Sequence, residues 1–406
     1  MGPSAVKYHS YMATPFNEAL PELVNNAYDA MVDIRHDLHS HPELSMVEYR
    51  TSDVVTNRLR ELGWTVKKSP TETGAVATLK GGKPGKRIMI RADIDGLPVN
   101  EDLDISFKSQ NADVMHACGH DLHTASILGV ADVLAQRQED LPGEYTVVFQ
   151  PGEEGFAGAR SMFEGGLLED NPVDYVVGGH VTSMMPVGMM FTRPGVLMAT
   201  ARRLIVDIKG KGGHGSMPSK EGSVILAVSA LAPRMGEISD GMEYEGGVCA
   251  CSAGIVTSGT ASNVLPQHAH LSGTLRTFTY EQESEALSRF AQIIKEIETE
   301  FQVQCTINTK QFTPRVENVP SIAERVIEIG KEMLGKNNAL VLPPVSGSED
   351  FSEFLNRIPG SFMFIGGALE DGSSGMHHSP QFAVDDRAVR PFATVLAASA
   401  VDLAQL

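Results

Sequence analysis

"RIMIRAD" (Arg87–Asp93), "DLHTASILGVADVLAQRQ" (Asp121–Gln138) and "YTVVFQ" (Tyr145–Gln150) decide how this chain folds. The first and third are short, nearly continuous apolar runs. The segment between them repeats its apolar residues at helical spacing. Strand, helix and strand in that order predict a mostly parallel sheet with helices on both faces. "DYVVGG" (Asp174–Gly179) adds a strand to the pattern, and "GARSMFEGGLLE" (Gly158–Glu169) adds a helix.

Towards the N-terminus, Leu23, Ala27, Met31, Ile34 and Leu38 predict one amphipathic helix starting at Leu20 and ending before Pro42. The first dozen residues read as a loose end. Towards the C-terminus the rhythm changes. Strand Arg202–Lys209, helix Glu221–Met235, strands Gly247–Val256 and His268–Thr277, helix Glu281–Phe301 and strand Gln302–Asn308 follow in turn. That βαββαβ order is the ferredoxin-like split βαβ unit. The α/β pattern then resumes with helix Ser321–Leu334, strand Ser361–Gly367 and a helix from Asp386. The expected organisation is an α/β domain from residues 1–196 and 313–406, with an inserted α+β domain at 197–312.

At 406 residues the chain exceeds one ordinary core, which agrees with two domains. A formal net charge of −18 disfavours nucleic acid and anionic membrane surfaces as partners. Of the four cysteines, Cys249 and Cys251 are too close for a disulfide framework, so reduced thiols and a cytoplasmic location are expected. The opening residues lack the basic start and apolar core of a secretory signal. No apolar run reaches the roughly 18 residues that span a bilayer.

Polar residues gather where the strands end, the usual place for sites in open α/β sheets. Asp93 and Asp95 follow the first strand, Glu153 and Glu154 the second, and His180 closes the third. "SGSEDF" (Ser346–Phe351) and "GMHHSP" (Gly375–Pro380) occupy later loops, and "MHACGHDLHTAS" (Met115–Ser126) opens the central helix. Histidine, thiol and carboxylate together suit a divalent ion such as zinc or manganese. Cys118 and His120 are two apart, so a loop can turn both to one centre. Adjacent glutamates diverge in extended backbone, so one can coordinate while the other reaches a water as general base.

Cys118, His120, Glu154, His180 and His378 make five candidate ligands, more than one catalytic zinc uses, so two ions sharing a bridging group are expected. A lone cysteine is more often a buried small hydrophobe, and a lone Glu-Glu pair a solvated turn, but here they converge. His116, Asp121 and His123 read equally well as supporting or helix-capping groups. Of His377 and His378, the second is favoured because it directly precedes Ser379 and Pro380. Cys249, Cys251 and Cys305 read as packing.

With these residues assembled, the chain resembles the zinc-peptidase/aminoacylase superfamily. It is most similar there to the amidohydrolase branch with hippurate hydrolase, auxin-conjugate hydrolases and N-acetyl-diaminopimelate deacetylase. The motifs run from Arg35 to the C-terminal part: "HDLHSHPELS", "RADIDGLP", "MHACGHDLHTA", "FQPGEEGFAGA", "GKGGHGSMP", "GTASNVLP", "GTLRTF", "SEDFSEF" and "HHSP".

The resemblance implies that Cys118, His120, Glu154, His180 and His378 hold two metal ions and that Glu153 is the general base. It implies that His214 stabilises the oxyanion, that Asn263 and Arg276 hold the substrate, and that the inserted domain is a lid and dimerisation surface. The chain departs from the branch at Leu122, where glycine is common, at Gly179, where an apolar residue is common, and at His377, where leucine is common.

The expected activity is metal-dependent cleavage of N-acyl amino acids, hippurate-like or with other acyl groups, by a homodimer or higher homo-oligomer. A dipeptidase and an N-acetyl-diaminopimelate deacetylase are the neighbouring alternatives. A metal-binding or sensing protein without catalysis would need no base, which the Glu153–Glu154 pair argues against. Cys118 as a nucleophile would not explain the histidines and carboxylates around it.

Overall fold

The computed structural model describes residues 15–155 and 158–406. The predicted loose N-terminal end lies outside the described residues, as do Phe156 and Ala157 of "GFAGA". The chain folds as two compact units. One comprises residues up to Gly195 together with 318–342 and 353–406, the other 196–317 and 343–352. The loop with Ser346 to Phe351 therefore belongs to the second unit.

The first unit is built on an eight-stranded sheet. At its centre, Pro142–Gln150, Lys83–Asp93, Tyr175–Pro186 and Gly360–Ala368 lie side by side in that order, all parallel. Ala75–Lys80 joins one flank and Met190–Phe191 the other, both antiparallel. The central strands are buried without alternation: Ile88, Met89 and Ile90 are all inaccessible, as expected of a parallel sheet covered on two faces.

The helix His120–Gln136 is apolar almost all round and buried along nearly its whole length. The alanine-rich helix Val389–Leu403 packs against it and against the strand Tyr175–Pro186. The single N-terminal helix of the sequence reading is two helices, Pro15–Asn26 and Tyr28–Ser40, separated at Ala27. The strand expected to close at His180 instead runs on to Pro186, because Gly360–Ala368 continues to pair with it; His180 lies opposite Phe364.

The second unit carries a four-stranded antiparallel sheet in the order Ala250–Ser258, His268–Arg276, Ala201–Lys209, Gln304–Thr313. With the helices Val224–Arg234 and Tyr280–Phe301 this is the ferredoxin-like order. The strand His268–Arg276 alternates between buried and less buried residues, so one face is core. Leu204, Val206, Leu271 and Leu275 meet Val228, Leu231, Phe290 and Ile294 there. Buried Cys249 and Cys251 join this core. The long helix opens with a capping box between Thr279 and Gln282.

Candidate metal centre

Because the four central strands of the first unit are parallel, their carboxyl ends share one edge of the sheet, and the polar residues meet there. Gly119 makes the key turn. Its φ is +91°, and a Cβ at that position would lie 2.5 Å from Val181 Cγ1, so only glycine fits. The turn leaves Cys118 just before the helix and His120 at its first residue. His378 also has positive φ, at 65°, uncommon for a non-glycine residue. Its amide donates to the Ala117 carbonyl at 2.8 Å, which ties the "HHSP" loop to the "ACGHD" turn.

All five candidate ligands converge. The Cys118 sulfur lies 3.3 Å from His180 Nε2, and His378 Nε2 lies 3.1 Å from Glu154 Oε1. His120 Nε2 lies 3.9 Å from the same Glu154 oxygen. Cys118, His120 and His180 form one set whose donor atoms lie within 4.8 Å of one another; Cys118, Glu154 and His378 form a second, and His120, Glu153 and Glu154 a third. The first two sets share the Cys118 sulfur.

The donor set fits divalent cations. His120 Nε2 is buried and makes no hydrogen bond, an arrangement that is costly unless something else binds it. Burial, then the carboxylates of Glu154, Glu153 and Asp93, push the Cys118 thiol well above its usual range. A cation beside the sulfur reverses that balance. Burial, with His123 and His377 nearby, holds His180 well below the usual imidazole range and so neutral. His180 Nδ1 donates to the Val181 carbonyl at 2.6 Å, and His120 Nδ1 to the Asp95 carbonyl at 2.9 Å. Each bond turns the other ring nitrogen towards the cluster.

Around this cluster lies a buried polar scaffold that the sequence did not resolve. Asp93 binds His123 at 2.6 Å and Arg91 at 2.8 Å. His123 Nε2 in turn accepts from the Val181 amide. Asp121 binds Arg35 at 3.2 Å and His39 at 2.9 Å, and is held well below the usual carboxylate range: burial opposes this, but Arg35 and His39 prevail.

The turn carrying the paired glutamates is held twice. Glu48 accepts from the Gly152 amide at 2.8 Å, and Asp95 accepts from the Glu154 amide at 3.0 Å. Arg35 directly precedes "HDLHSHPELS", His39 lies within it and Glu48 follows just after. Buried polar side chains on otherwise amphipathic helices were the available signal. His116 is also buried, with neither ring nitrogen hydrogen-bonded.

The remaining site candidates lie in the second unit. His214 is exposed on the two-residue strand Gly213–His214, which pairs with Val264–Leu265 next to Asn263. The Gly215 amide donates to the Asn263 carbonyl at 2.8 Å, which brings His214 and Asn263 together. Both the amide and the hydroxyl of Ser216 meet His214 Nδ1, at 3.1 and 2.7 Å. An Nδ1 that accepts from an amide leaves the proton on Nε2. Arg276 ends the strand His268–Arg276 and donates to the Ser348 hydroxyl.

Residues 89–402 match the model of peptidase family M20/M25/M40. The chain is 36% identical to thermostable carboxypeptidase 1 of Saccharolobus solfataricus, over 91% of this chain and 94% of that one. It is 33% identical to N-acetyldiaminopimelate deacetylase of Geobacillus thermodenitrificans, over 88% of this chain and 94% of that protein. A crystal structure of a Bacillus subtilis dinuclear metal-binding peptidase of the M20 family superposes with a TM-score of 0.79 at 31% identity. That match covers 93% of this chain and 98% of the other.

Proposed function

This chain belongs to peptidase family M20/M25/M40 and is a metal-dependent amidohydrolase, and from that premise we propose that it cleaves N-acyl amino acids to a carboxylic acid and a free amino acid. The observation that carries the reading is the meeting of Cys118, His120, Glu154, His180 and His378 beside Glu153, with the buried His120 Nε2 left without a hydrogen bond. The relatives' names support the substrate class. A carboxypeptidase and an N-acetyldiaminopimelate deacetylase both cut an amide whose nitrogen belongs to an amino acid.

The five residues would hold two divalent ions, zinc or manganese, with Cys118 common to both sets. Bound there, the ions would supply Lewis acidity that acidifies a water and polarises the amide carbonyl. Glu153 takes the proton of the attacking water and passes it to the leaving amine nitrogen. His214 donates Nε2–H to the oxyanion of the tetrahedral intermediate, a role supported by the Ser216 contacts at Nδ1. Arg276 offers its fork of donors to the substrate carboxylate, and Asn263 an amide to the substrate's polar groups.

The second unit acts as lid and homodimer surface. In support, the edge strand Ala250–Ser258 exposes Ile255 and Val256.

The test is a panel of acetyl, benzoyl, indole-acetyl and long-chain acyl amino acids, with a dipeptide and N-acetyldiaminopimelate. Each is assayed on chelator-stripped protein with zinc or manganese restored. Metal-restored hydrolysis of at least one N-acyl amino acid is expected. Hydrolysis of the dipeptide alone, or full activity after stripping, would overturn the reading.

A further inference from the structure

His377 occupies a position that the proposed ligand set does not use, yet its ring is fixed against that set. Its Nδ1 faces the Cys118 sulfur at 3.7 Å, within reach of an N–H···S bond, which is longer than N–H···O because sulfur is larger. Its Nε2 accepts the Ser183 backbone amide at 3.3 Å. A ring nitrogen that accepts from an amide carries no proton, so the proton of the imidazole is on Nδ1. Phe382 lies 4.7 Å from the ring and His180 5.4 Å, ring centre to ring centre. The ring is thus held between an amide, an aromatic wall and the sulfur.

We propose that His377 is a positioning residue of the metal centre: the Ser183 amide locks its tautomer, and its Nδ1–H donates to the Cys118 thiolate. This rests on the reading of Cys118 as a metal ligand. A hydrogen bond to a thiolate lowers the energy of the sulfur lone pairs. It therefore restrains how strongly the sulfur donates to a metal, and it fixes the direction in which the sulfur's remaining lone pairs point. A leucine at 377 fills similar space and gives up both effects.

The test uses full-length protein stripped by chelator and loaded with Co²⁺, whose thiolate-to-metal charge-transfer band reports on the sulfur directly. His377→Leu should move the band to longer wavelength. His377→Gln, whose amide reaches the Nε2 position and keeps the Ser183 contact, should move it in the same direction. His377→Asn, whose amide nitrogen falls near the imidazole Nδ1 position, should return it towards the wild-type value.

A band unmoved in His377→Leu overturns the role of His377 while leaving the ligand reading intact. An equal shift in all three variants also overturns it, because packing rather than donation would then set the band. Absence of the band in the Co²⁺-loaded wild type overturns the ligand reading, and this inference with it.

Discussion

His120 and His214 are both central to the proposed chemistry, and the two units treat them in opposite ways. His120 is fully buried, its Nδ1 bonded to Asp95, and it sits among carboxylates that push it up to about 10 against the effect of burial. His214 is exposed on a two-residue strand, and its Nδ1 accepts from Ser216. The contrast teaches that the first unit builds a centre whose ligands are fixed before anything binds. The second unit instead presents a single donor whose tautomer alone is set locally. Pre-organised ligands favour tight metal binding, whereas an exposed donor can be withdrawn while substrate enters and product leaves.

The largest effect that could break this comparison comes from the buried side. Cys118→Ala and His120→Ala should lower bound metal to background and abolish turnover, measured by elemental analysis and hydrolysis of an N-acyl amino acid. His120 carries a proton in the metal-free protein up to about pH 10, so metal uptake must displace it. Apparent metal affinity should therefore rise as pH is raised towards that value, with proton release detectable by calorimetry in buffers of different ionisation enthalpy. Affinity independent of pH would remove His120 from the ligand set.

Next comes Glu153→Gln. It should keep its metal and lose about 10²–10⁴ in rate, because the amide cannot accept the water's proton. His214→Ala should cost about 10²–10³ in kcat with metal content and melting temperature unchanged, since the residue is exposed and supports no core. A fall in metal content in that variant would erase the distinction between the two units. Smallest is Ser216→Ala, which removes one hydrogen bond that sets the His214 tautomer. A loss of about 1 kcal/mol, roughly fivefold in kcat, is expected with metal content intact.

The sequence carried most of the fold because its periodicities were strong. The apolar run in Arg87–Asp93 reads as a central parallel strand, buried from Ile88 onward, and the βαββαβ order of the inserted unit survives with boundaries shifted by a few residues. Three readings failed for identifiable reasons. The helix expected over Gly158–Glu169 breaks at Gly165 and Gly166, the latter in left-handed backbone, into Gly158–Glu164 and Leu167–Asp170. The long N-terminal helix splits at Ala27 although the apolar spacing runs through the break. His180 does not close its strand, because the partner that prolongs the pairing, Gly360–Ala368, lies far away in sequence.

The ligand candidates were legible from residue type and from their place after strands. The scaffold beneath them was not. Arg35 meets Asp121, and Glu48 meets Gly152, across separations that no local pattern encodes. His377 was set aside in favour of His378 on sequence grounds. The fold places both at the cluster, His378 at Glu154 and His377 at Cys118.

The central claim is that one cluster of five side chains holds the metal while a neighbouring carboxylate supplies the base. The most direct test measures metal stoichiometry and turnover side by side in wild type and Glu153→Gln, before and after chelator stripping and metal restoration. The account predicts two ions per chain in both proteins, turnover in the metal-restored wild type, and turnover lost in Glu153→Gln. Wild-type turnover in the stripped protein, or full turnover in Glu153→Gln with its metal bound, would contradict it.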